Sequence, residues 1–244
     1  MIEVRWDGPI ATIALARGSA RNAVRIAGWE QLAAAVAGLG AARAVILLSD
    51  MPGTFSAGAD IGEFPGLQAN PAERTRFRRA MRGGIEALAA LPMPVLAAID
   101  GGCFGAAVAL ILATDLRIAG DAAQFAVPPA RLGLGYPRED VVRLAAQIGH
   151  GQASALLFTG ETVDADAAAR LGLVERRSPD AAAAAATLAE RIASNAPAAI
   201  RQLKRALRHP SDLGLDTAFD AAFGGTELAE GLAAFHARRP PVFA

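Results

Sequence analysis

The chain has 244 residues, 53% of them hydrophobic, which is enough for one large domain or for one domain with a small extension. Its 24 basic residues balance its 24 acidic residues, which argues against a nucleic-acid partner and against electrostatic attraction to a membrane. The lone Cys103 excludes an internal disulfide, and neither a signal-like opening nor a membrane-length apolar run occurs, so we expect a cytoplasmic protein.

The chain begins with the pattern of a strand, a helix and a second strand. Ile10–Leu15 is strand-like after a Gly-Pro turn, and a loop follows at residues 16–24. Apolar residues recur at helical spacing over residues 29–39, which predicts an amphipathic helix that ends at Gly40. A run of apolar residues then predicts a strand at Ala44–Ser49.

Two stretches rich in glycine and alanine each follow a predicted strand. Residues 53–61 follow the strand at residues 44–49, and residues 100–108 follow a strand predicted at residues 94–99. Small residues allow sharp turns and let a ligand approach the backbone, so we expect the amides of both stretches to point to one place. For either stretch alone, a tight turn with close helix packing is the alternative.

The second stretch leads into an almost entirely apolar helix, predicted at residues 105–113. The first N–H groups of a helix lack intrahelical partners and carry the positive end of its dipole. We expect the N–H of Ala106 to be one donor of an oxyanion hole and the N–H of Ala57 to be the other.

The middle of the chain predicts a long helix with many arginines. Asn70 and Pro71 are typical of a helix start, and residues 63–70 before them are a candidate flap over a substrate. The four arginines expected to form a solvated face of this helix are Arg74, Arg78, Arg79 and Arg82.

Shorter elements are predicted after Asp115. The predicted strands are Leu116–Ala119, Ala123–Val127 and Gly172–Arg176. One helix is predicted to begin at Pro137 and to end before Gly149, and two further helices are predicted at residues 151–158 and 164–171. Beyond residue 178 only helical patterns occur. This change predicts an α/β core at residues 1–185 and a helical region at residues 186–244.

Four motifs in the same order resemble those of the enoyl-CoA hydratase/isomerase (crotonase) superfamily, and the resemblance covers nearly the whole chain. They are Arg17-Gly-Ser-Ala-Arg-Asn-Ala23, Phe55-Ser-Ala-Gly-Ala-Asp-Ile61, Asp100 to Asp115, and Glu230 to Phe243. The resemblance implies a crotonase-like α/β spiral of strand–strand–helix units with a helical C-terminal trimerisation region. It also implies an acyl-CoA thioester as substrate, no separate cofactor or metal, and a homotrimer or a dimer of trimers.

The resemblance further implies which residues surround coenzyme A. They are Arg17, Arg21, Asn22, Ala23, Ala59, Asp60 and Ile61, with Phe235 and Arg238 reaching a coenzyme A bound near a neighbouring subunit. Arginine suits phosphate by both geometry and charge. A solvated basic loop is the alternative for the arginines near residue 20, and a core or interface position is the alternative for the C-terminal phenylalanines.

The acids of related enzymes are missing from their expected positions. Hydratases of this family use two glutamates, whose positions are Ala109 and Pro129 here, and the isomerase acid aligns with Pro137. Water addition needs a placed base and a placed acid, so we do not expect ordinary hydratase activity. Glu139 is the nearby candidate for catalysis or for stabilising a helix start, and its neighbour Asp140 is expected to be structural.

Tyr136, the only tyrosine, resembles the tyrosine of methylmalonyl-CoA decarboxylases, although their histidine is replaced by Ala59. A phenol stays protonated at neutral pH, so Tyr136 is a candidate proton donor and not a base, or a residue of the loop rim.

These patterns favour an enolate-forming decarboxylase or isomerase, with an acyl-CoA-binding homologue without turnover as the alternative. A serine protease of the related Clp type is a third reading, but the sequence places no histidine and acid beside Ser56. No histidines have metal-ligand spacing, and no phosphate-binding loop of the nucleotide-binding type occurs.

Overall fold

A computed structural model describes residues 1–243. The strands are β1 Ile2–Asp7, β2 Ile10–Leu15, β3 Ala44–Ser49, β4 Thr54–Ser56, β5 Val95–Ile99, β6 Gly102–Phe104, β7 Leu116–Ala119, β8 Gln124–Ala126, β9 Val163–Asp164 and β10 Arg176–Arg177. The helices are α1 Ile26–Ala37, α2 Phe64–Ala69, α3 Pro71–Ala89, α4 Ala106–Leu112, α5 Arg138–Ile148, α6 His150–Thr159, α7 Ala165–Leu171, α8 Ala181–Ala193, α9 Pro197–Arg208, α10 Gly214–Ala222 and α11 Thr226–Ala237.

The strands form two sheets. The larger sheet has the order β1-β2-β3-β5-β7-β10, and all its neighbours are parallel except the β1–β2 hairpin. The smaller sheet has the order β4-β6-β8-β9, with β4, β6 and β8 parallel. The chain therefore alternates between the sheets, and a helix follows each visit to the smaller one. This is the predicted α/β spiral of strand–strand–helix units, which is confirmed.

The long elements were predicted well and the short strands poorly. The strand at Ile10–Leu15, the strand at Ala44–Ser49 and the cap at Asn70, whose side chain accepts the N–H of Ala72 at 2.9 Å, are all present. Of the short strands of the smaller sheet, β8 lies within the strand predicted at Ala123–Val127, whereas β4, β6, β9 and the hairpin strand β1 were not predicted. The last strand was placed wrongly, since it is formed by Arg176–Arg177 and not by residues 172–176.

A continuous apolar core fills the space between the sheets and the helices. Strands β3 and β5 are buried along most or all of their length because the larger sheet is covered on both faces. One face carries the main core, which includes all of α4. The other face is covered by α8, whose buried alanines recur every four residues: Ala181, Ala185, Ala189 and Ala193. Small side chains at this spacing let the helix pack closely on the strands.

Helix α8 spans the predicted division of the chain at residue 185 and packs on β3 and β5. The division stays a prediction. No helix within residues 1–243 is both long and apolar enough to cross a membrane.

A buried polar cluster attaches α9 to the sheet core. The amine of Lys204, which is 7% exposed, lies 2.7 Å from an Asp115 carboxylate oxygen and donates to the Met93 carbonyl at 2.7 Å. Arg208 holds the other Asp115 oxygen at 2.7 Å and also donates to the carbonyl of Ala89 at 2.6 Å. Burial lowers the pKa of Lys204 from its usual value, although the Asp115 carboxylate acts in the opposite direction. The only lysine of the chain is thus a structural anchor.

Asp115→Ala should weaken this attachment strongly, because it leaves the buried charge of Lys204 without its partner. We expect the free energy of unfolding to fall by about 3 kcal/mol, measured by urea denaturation followed by circular dichroism. The control is Arg205→Gln on the same helix, which removes a largely exposed ion pair with Asp212 and should cost less than about 1 kcal/mol. Equal losses in the two variants would contradict the assignment of Asp115 as the anchor.

Candidate active site

The two stretches rich in glycine and alanine meet at one edge of the smaller sheet. Strands β4 and β6 are parallel neighbours, with Thr54 opposite Gly102 and Ser56 opposite Cys103. Parallel neighbours end at the same edge of a sheet, so the residues after Ser56 and those after Phe104 emerge side by side. The carboxyl ends of parallel strands are also where α/β proteins commonly bind ligands.

Gly58 lies directly against the start of α4. A Cβ atom at this position would lie 2.4 Å from the carbonyl oxygen of Phe104 and 2.9 Å from the nitrogen of Ala106. Gly58 also has a φ of +87°, in the left-handed region where a side chain is strained. Only glycine permits this approach of two backbone segments.

The prediction that the N–H of Ala57 serves a ligand is wrong. This N–H donates a 2.9 Å hydrogen bond to the carbonyl oxygen of Arg21. A backbone donor that already has a protein acceptor is not available to an oxyanion. The hydrogen bond instead connects the stretch at residues 53–61 to the loop at residues 16–24.

The available amide of this stretch belongs to Ala59. Val24 and Ala59 form an isolated parallel bridge, in which Val24 N–H donates to the Gly58 carbonyl at 2.7 Å and Asp60 N–H donates to the Val24 carbonyl at 3.0 Å. The N–H of the bridged residue itself points to the opposite side, away from Val24. It has no hydrogen-bond acceptor in the described part of the chain.

The second unpaired amide belongs to Ala106, whose role as an oxyanion donor stays a prediction. Ala106 is the first residue of α4, and its N–H has no acceptor within residues 1–243. The turn before it is fixed, because Gly105 N–H donates to the Ala126 carbonyl at 2.9 Å. The contact at Gly58 therefore brings together two backbone segments, each with one unpaired N–H.

Asn22 connects the loops and does not face a ligand. Its side chain is fully buried, with the amide nitrogen donating to Ser49 Oγ at 2.7 Å and to the Phe55 carbonyl at 3.1 Å. Its amide oxygen accepts the N–H of Arg17 at 2.7 Å. The proposed contact of the Asn22 side chain with coenzyme A is wrong, because every side-chain polar atom is used inside the protein.

Asp60 binds two arginines of the basic loop and its neighbouring helix start. Its Oδ2 atom accepts from Arg17 Nη1 at 2.7 Å and from Arg25 Nε at 3.1 Å, and its Oδ1 atom accepts from Gly62 N–H at 2.9 Å. Partial burial acts to raise the pKa of Asp60, but these hydrogen bonds outweigh it and lower the pKa from its usual value. Arg17 also donates to the Ala23 carbonyl at 2.6 Å, so it holds the loop while neutralising Asp60.

The other residues predicted to contact coenzyme A fall into two places. Ala23 is buried in the loop, whereas Arg21 is exposed and the side chain of Ile61 is 63% exposed beside Ala59. Phe235 is 78% exposed at the end of α11, and Arg238 caps this helix. No hydrogen bond or ion pair of the described chain joins these two C-terminal residues to either loop.

Tyr136 contacts the peptide group between Gly105 and Ala106 from its carbonyl side. Its hydroxyl donates a 2.9 Å hydrogen bond to the carbonyl oxygen of Gly105, the residue before Ala106. Burial raises the pKa of the phenol well above its usual value, and the charge of Asp140 raises it further. The phenol is therefore protonated at neutral pH and serves as a donor.

The structure gives Glu139 and Asp140 different surroundings. Glu139 is exposed, with its carboxylate 3.3 Å from Arg138, and hydrogen bonds from its own backbone N–H and from Arg138 lower its pKa. Asp140 is fully buried and accepts a 2.8 Å hydrogen bond from Arg82. The expectation that Arg82 belongs to a solvated face of α3 is wrong, because its guanidinium crosses to α5.

The aligned hydratase positions contain no ionisable group. Ala109 is fully buried within α4, and Pro129 begins a short 3-10 helix. The described residues contain no group of three or more His, Cys, Asp or Glu side chains that could hold a metal ion. The expectation of no metal and no separate cofactor stays a prediction.

Sequence reasoning missed the amide of Ala59 and the buried pair of Arg82 with Asp140. The role of Ala59 could have been predicted from the sequence, because Gly58 allows a sharp turn and the N–H of the residue that follows such a turn is often unpaired. The second depends on the crossing of α3 and α5, far apart in sequence.

Comparison with known proteins places this geometry in context. The family model for enoyl-CoA hydratase/isomerase matches residues 6–244. A Mycobacterium tuberculosis protein named "Probable enoyl-CoA hydratase" is 34% identical over all of this chain and 99% of its own length.

Solved structures show the same fold. An enoyl-CoA hydratase/isomerase family protein from Hyphomonas neptunium has a TM-score of 0.95 and 33% identity, with 100% of this chain and 97% of that chain covered. The enoyl-CoA hydratase from Bacillus anthracis has a TM-score of 0.93 and 30% identity, with 99% and 98% covered.

Asn22→Ala should loosen the stretch that carries Ala59. The change removes one buried and two partly buried hydrogen bonds of the Asn22 side chain, so we expect the free energy of unfolding to fall by about 2 kcal/mol. Hydrogen exchange followed by mass spectrometry should be faster in residues 53–61. Ser19→Ala, an exposed change in the same loop, is the control and should alter neither quantity. Unchanged exchange in the Asn22 variant would show that the two loops are held by other contacts.

Proposed function

The chain belongs to the enoyl-CoA hydratase/isomerase family and is an acyl-CoA enzyme of that family. On this premise we propose that it forms a thioester enolate, which the N–H groups of Ala59 and Ala106 stabilise. The observation that carries this proposal is the pair of unpaired amides on two segments that Gly58 brings into contact. Two fixed donors directed at a developing oxyanion contribute several kcal/mol to transition-state stabilisation, at about 3 kcal/mol for each donor.

The missing acids favour decarboxylation or isomerisation over hydration. In decarboxylation of a malonyl-type thioester, the bond between the α carbon and the carboxylate breaks and its electron pair moves onto the thioester oxygen. This step releases CO₂ and removes no proton, so it needs no base. The apolar positions Ala109 and Pro129 are compatible with such a reaction.

Tyr136 is the proposed acid for the second step. Its phenol transfers a proton to the α carbon of the enolate, and the phenolate is reprotonated from solvent. In the resting structure the phenol donates to the Gly105 carbonyl, and its O–H turns away from that oxygen to donate to the enolate, which a hydroxyl can do by rotation and a backbone N–H cannot. Isomerisation instead needs a base that removes and returns one proton, and Glu139 is the candidate for this role. Its carboxylate is exposed and paired with Arg138, so we rank isomerisation by Glu139 below decarboxylation with Tyr136 as the acid.

Binding without turnover is the second candidate function. It is favoured by the same lack of an acid at the two hydratase positions. The loop residues Arg17, Arg21, Ala23, Asp60 and Ile61 remain the proposed binding surface for coenzyme A, through their exposed parts and their backbone. Calorimetry would then show coenzyme A binding while no thioester is consumed.

A homotrimer or a dimer of trimers is the proposed assembly, with the C-terminal helices as its interface. Large apolar side chains are exposed in this region: Leu203, Leu207, Leu213, Phe219, Phe223, Leu232, Phe235 and Val242. A groove of about 1070 Å³ separates α9, α10 and α11 from the end of α3. Apolar surface on this scale indicates an interaction site.

Sedimentation analysis should give a mass three or six times the 25.0 kDa of one chain. Phe223→Arg, at a side chain that is 68% exposed, should shift the distribution toward smaller species because a charge cannot be buried in an apolar interface. Trp6→Arg, at an exposed position of β1, is the matched control. A wild-type mass of one chain would refute the assembly.

Gly58→Ala should abolish most of the turnover of malonyl-, methylmalonyl- or 3-enoyl-CoA, whichever the enzyme consumes. The added Cβ would overlap the Phe104 carbonyl and displace Ala59 from Ala106, and loss of one oxyanion donor costs about 10²-fold in kcat. Gly40→Ala adds a methyl group in open space and is the control.

Tyr136→Phe and Glu139→Gln separate the two proposed reactions. Loss of activity on malonyl-type substrates in the tyrosine variant supports decarboxylation. Loss on 3-enoyl-CoA in the glutamate variant supports isomerisation. Unchanged rates in both variants would remove these two residues from the mechanism.

A further inference from the structure

Asp140 has features that a merely structural aspartate does not need. Its side chain is fully buried in the first turn of α5, and one carboxylate oxygen accepts a 2.8 Å hydrogen bond from Arg82 on α3. The other oxygen has no hydrogen-bond partner within residues 1–243, and neither does Nη1 of Arg82, while Nε of Arg82 has only an ion-pair contact with Glu86 at 3.4 Å. Buried polar groups without partners are uncommon and often accompany a functional role.

This pair joins α3 to the helix that follows Tyr136. Tyr136 is two residues before α5, while Asp140 N–H donates to the Pro137 carbonyl at 3.0 Å in the first turn of that helix. The side chain of Tyr136 turns to α4 and donates to the Gly105 carbonyl at 2.9 Å. The ion pair between α3 and α5 therefore fixes the start of the helix from which Tyr136 reaches the carbonyl oxygen of Gly105.

The charges around the phenol come from three elements. Helix α3 contributes Arg82 and Glu86, helix α5 contributes Glu139, Asp140 and Arg143, and β6 contributes Cys103. Arg143 is 3.7 Å from Asp140 and donates to Glu86 at 3.0 Å, and Glu86 also lies 3.4 Å from Nε of Arg82, so this half-exposed carboxylate is shared by both arginines. Asp140 and Arg82 are the groups of opposite charge that act on the phenol.

We propose that Asp140 and Arg82 form a positioning pair that holds Tyr136 at the start of α4 and controls the protonation of its phenol. The inference rests on the proposed function of Tyr136 as proton donor. The negative charge of Asp140 keeps the proton on the phenol, and the positive charge of Arg82 limits this effect, so the pair sets how readily the proton is released to the enolate. Asp140 acts through Tyr136 and is not itself a group that contacts the substrate.

The test uses the fact that Tyr136 is the only tyrosine. Biosynthetic replacement of tyrosine by 3-fluorotyrosine labels this side chain alone, and its fluorine NMR shift against pH reports the pKa of the phenol without any substrate. In Asp140→Asn the phenol should titrate at lower pH, by about one pH unit. In Arg82→Met it should titrate at higher pH, and Glu161→Gln, an exposed change outside this cluster, should leave the titration unchanged.

Opposite shifts in the two variants would support the inference even if no thioester is turned over, so failure of the proposed function is detected separately. Titration that is the same in Asp140→Asn, Arg82→Met and wild type would overturn it. If Asp140→Asn does not fold, Arg82→Met alone keeps the test decisive, because an unchanged or lower titration there contradicts the proposal.

Where turnover is measurable, Asp140→Asn should lower kcat about tenfold with little change in KM. This effect should disappear in the background of Tyr136→Phe, because the pair acts through the phenol. An undiminished effect in that background would also overturn the inference.

Discussion

The contact of Gly58 with the first residue of α4 is the constraint on which the candidate site depends. It needs a glycine on one side, a parallel pairing of β4 and β6 beneath it, and a turn at Gly105 that exposes the N–H of Ala106. Each of these features alone is an ordinary element of an α/β protein. Together they bring two segments with one unpaired backbone N–H each into contact, which is the arrangement that the proposed enolate stabilisation requires.

The polar side chains around this contact hold the backbone in place. Asn22 uses all its hydrogen-bonding groups to join three segments, and Asp60 binds two arginines of the same loop. Asn22 and Asp60, which the sequence predicted as contacts of coenzyme A, therefore form hydrogen bonds that stabilise the loops around the site. Such supports suit a site made from amides, since the direction of an N–H is set by its loop and has no rotamer of its own.

The site has few ionisable groups, and this limits the chemistry it can perform. The positions that carry glutamates in related hydratases are occupied by an alanine and a proline, while the one exposed glutamate nearby is paired with an arginine. What remains close to Ala106 is a phenol backed by a buried aspartate and arginine. The proposed enolate chemistry, with a phenol as proton donor, therefore fits these groups better than the activation of water.

The sequence by itself determined the family, the long helices and strands, and the two stretches that form the site, because these features depend on local patterns of small and apolar residues. It also revealed the missing acids at Ala109 and Pro129. The tertiary structure decided which amides are available: the N–H of Ala57 is used by Arg21, and that of Ala59 is left unpaired. It likewise decided that Asp140 is buried against Arg82 while Glu139 faces solvent. Hydrogen-bond partners and burial depend on segments distant in sequence, and no local pattern can specify them.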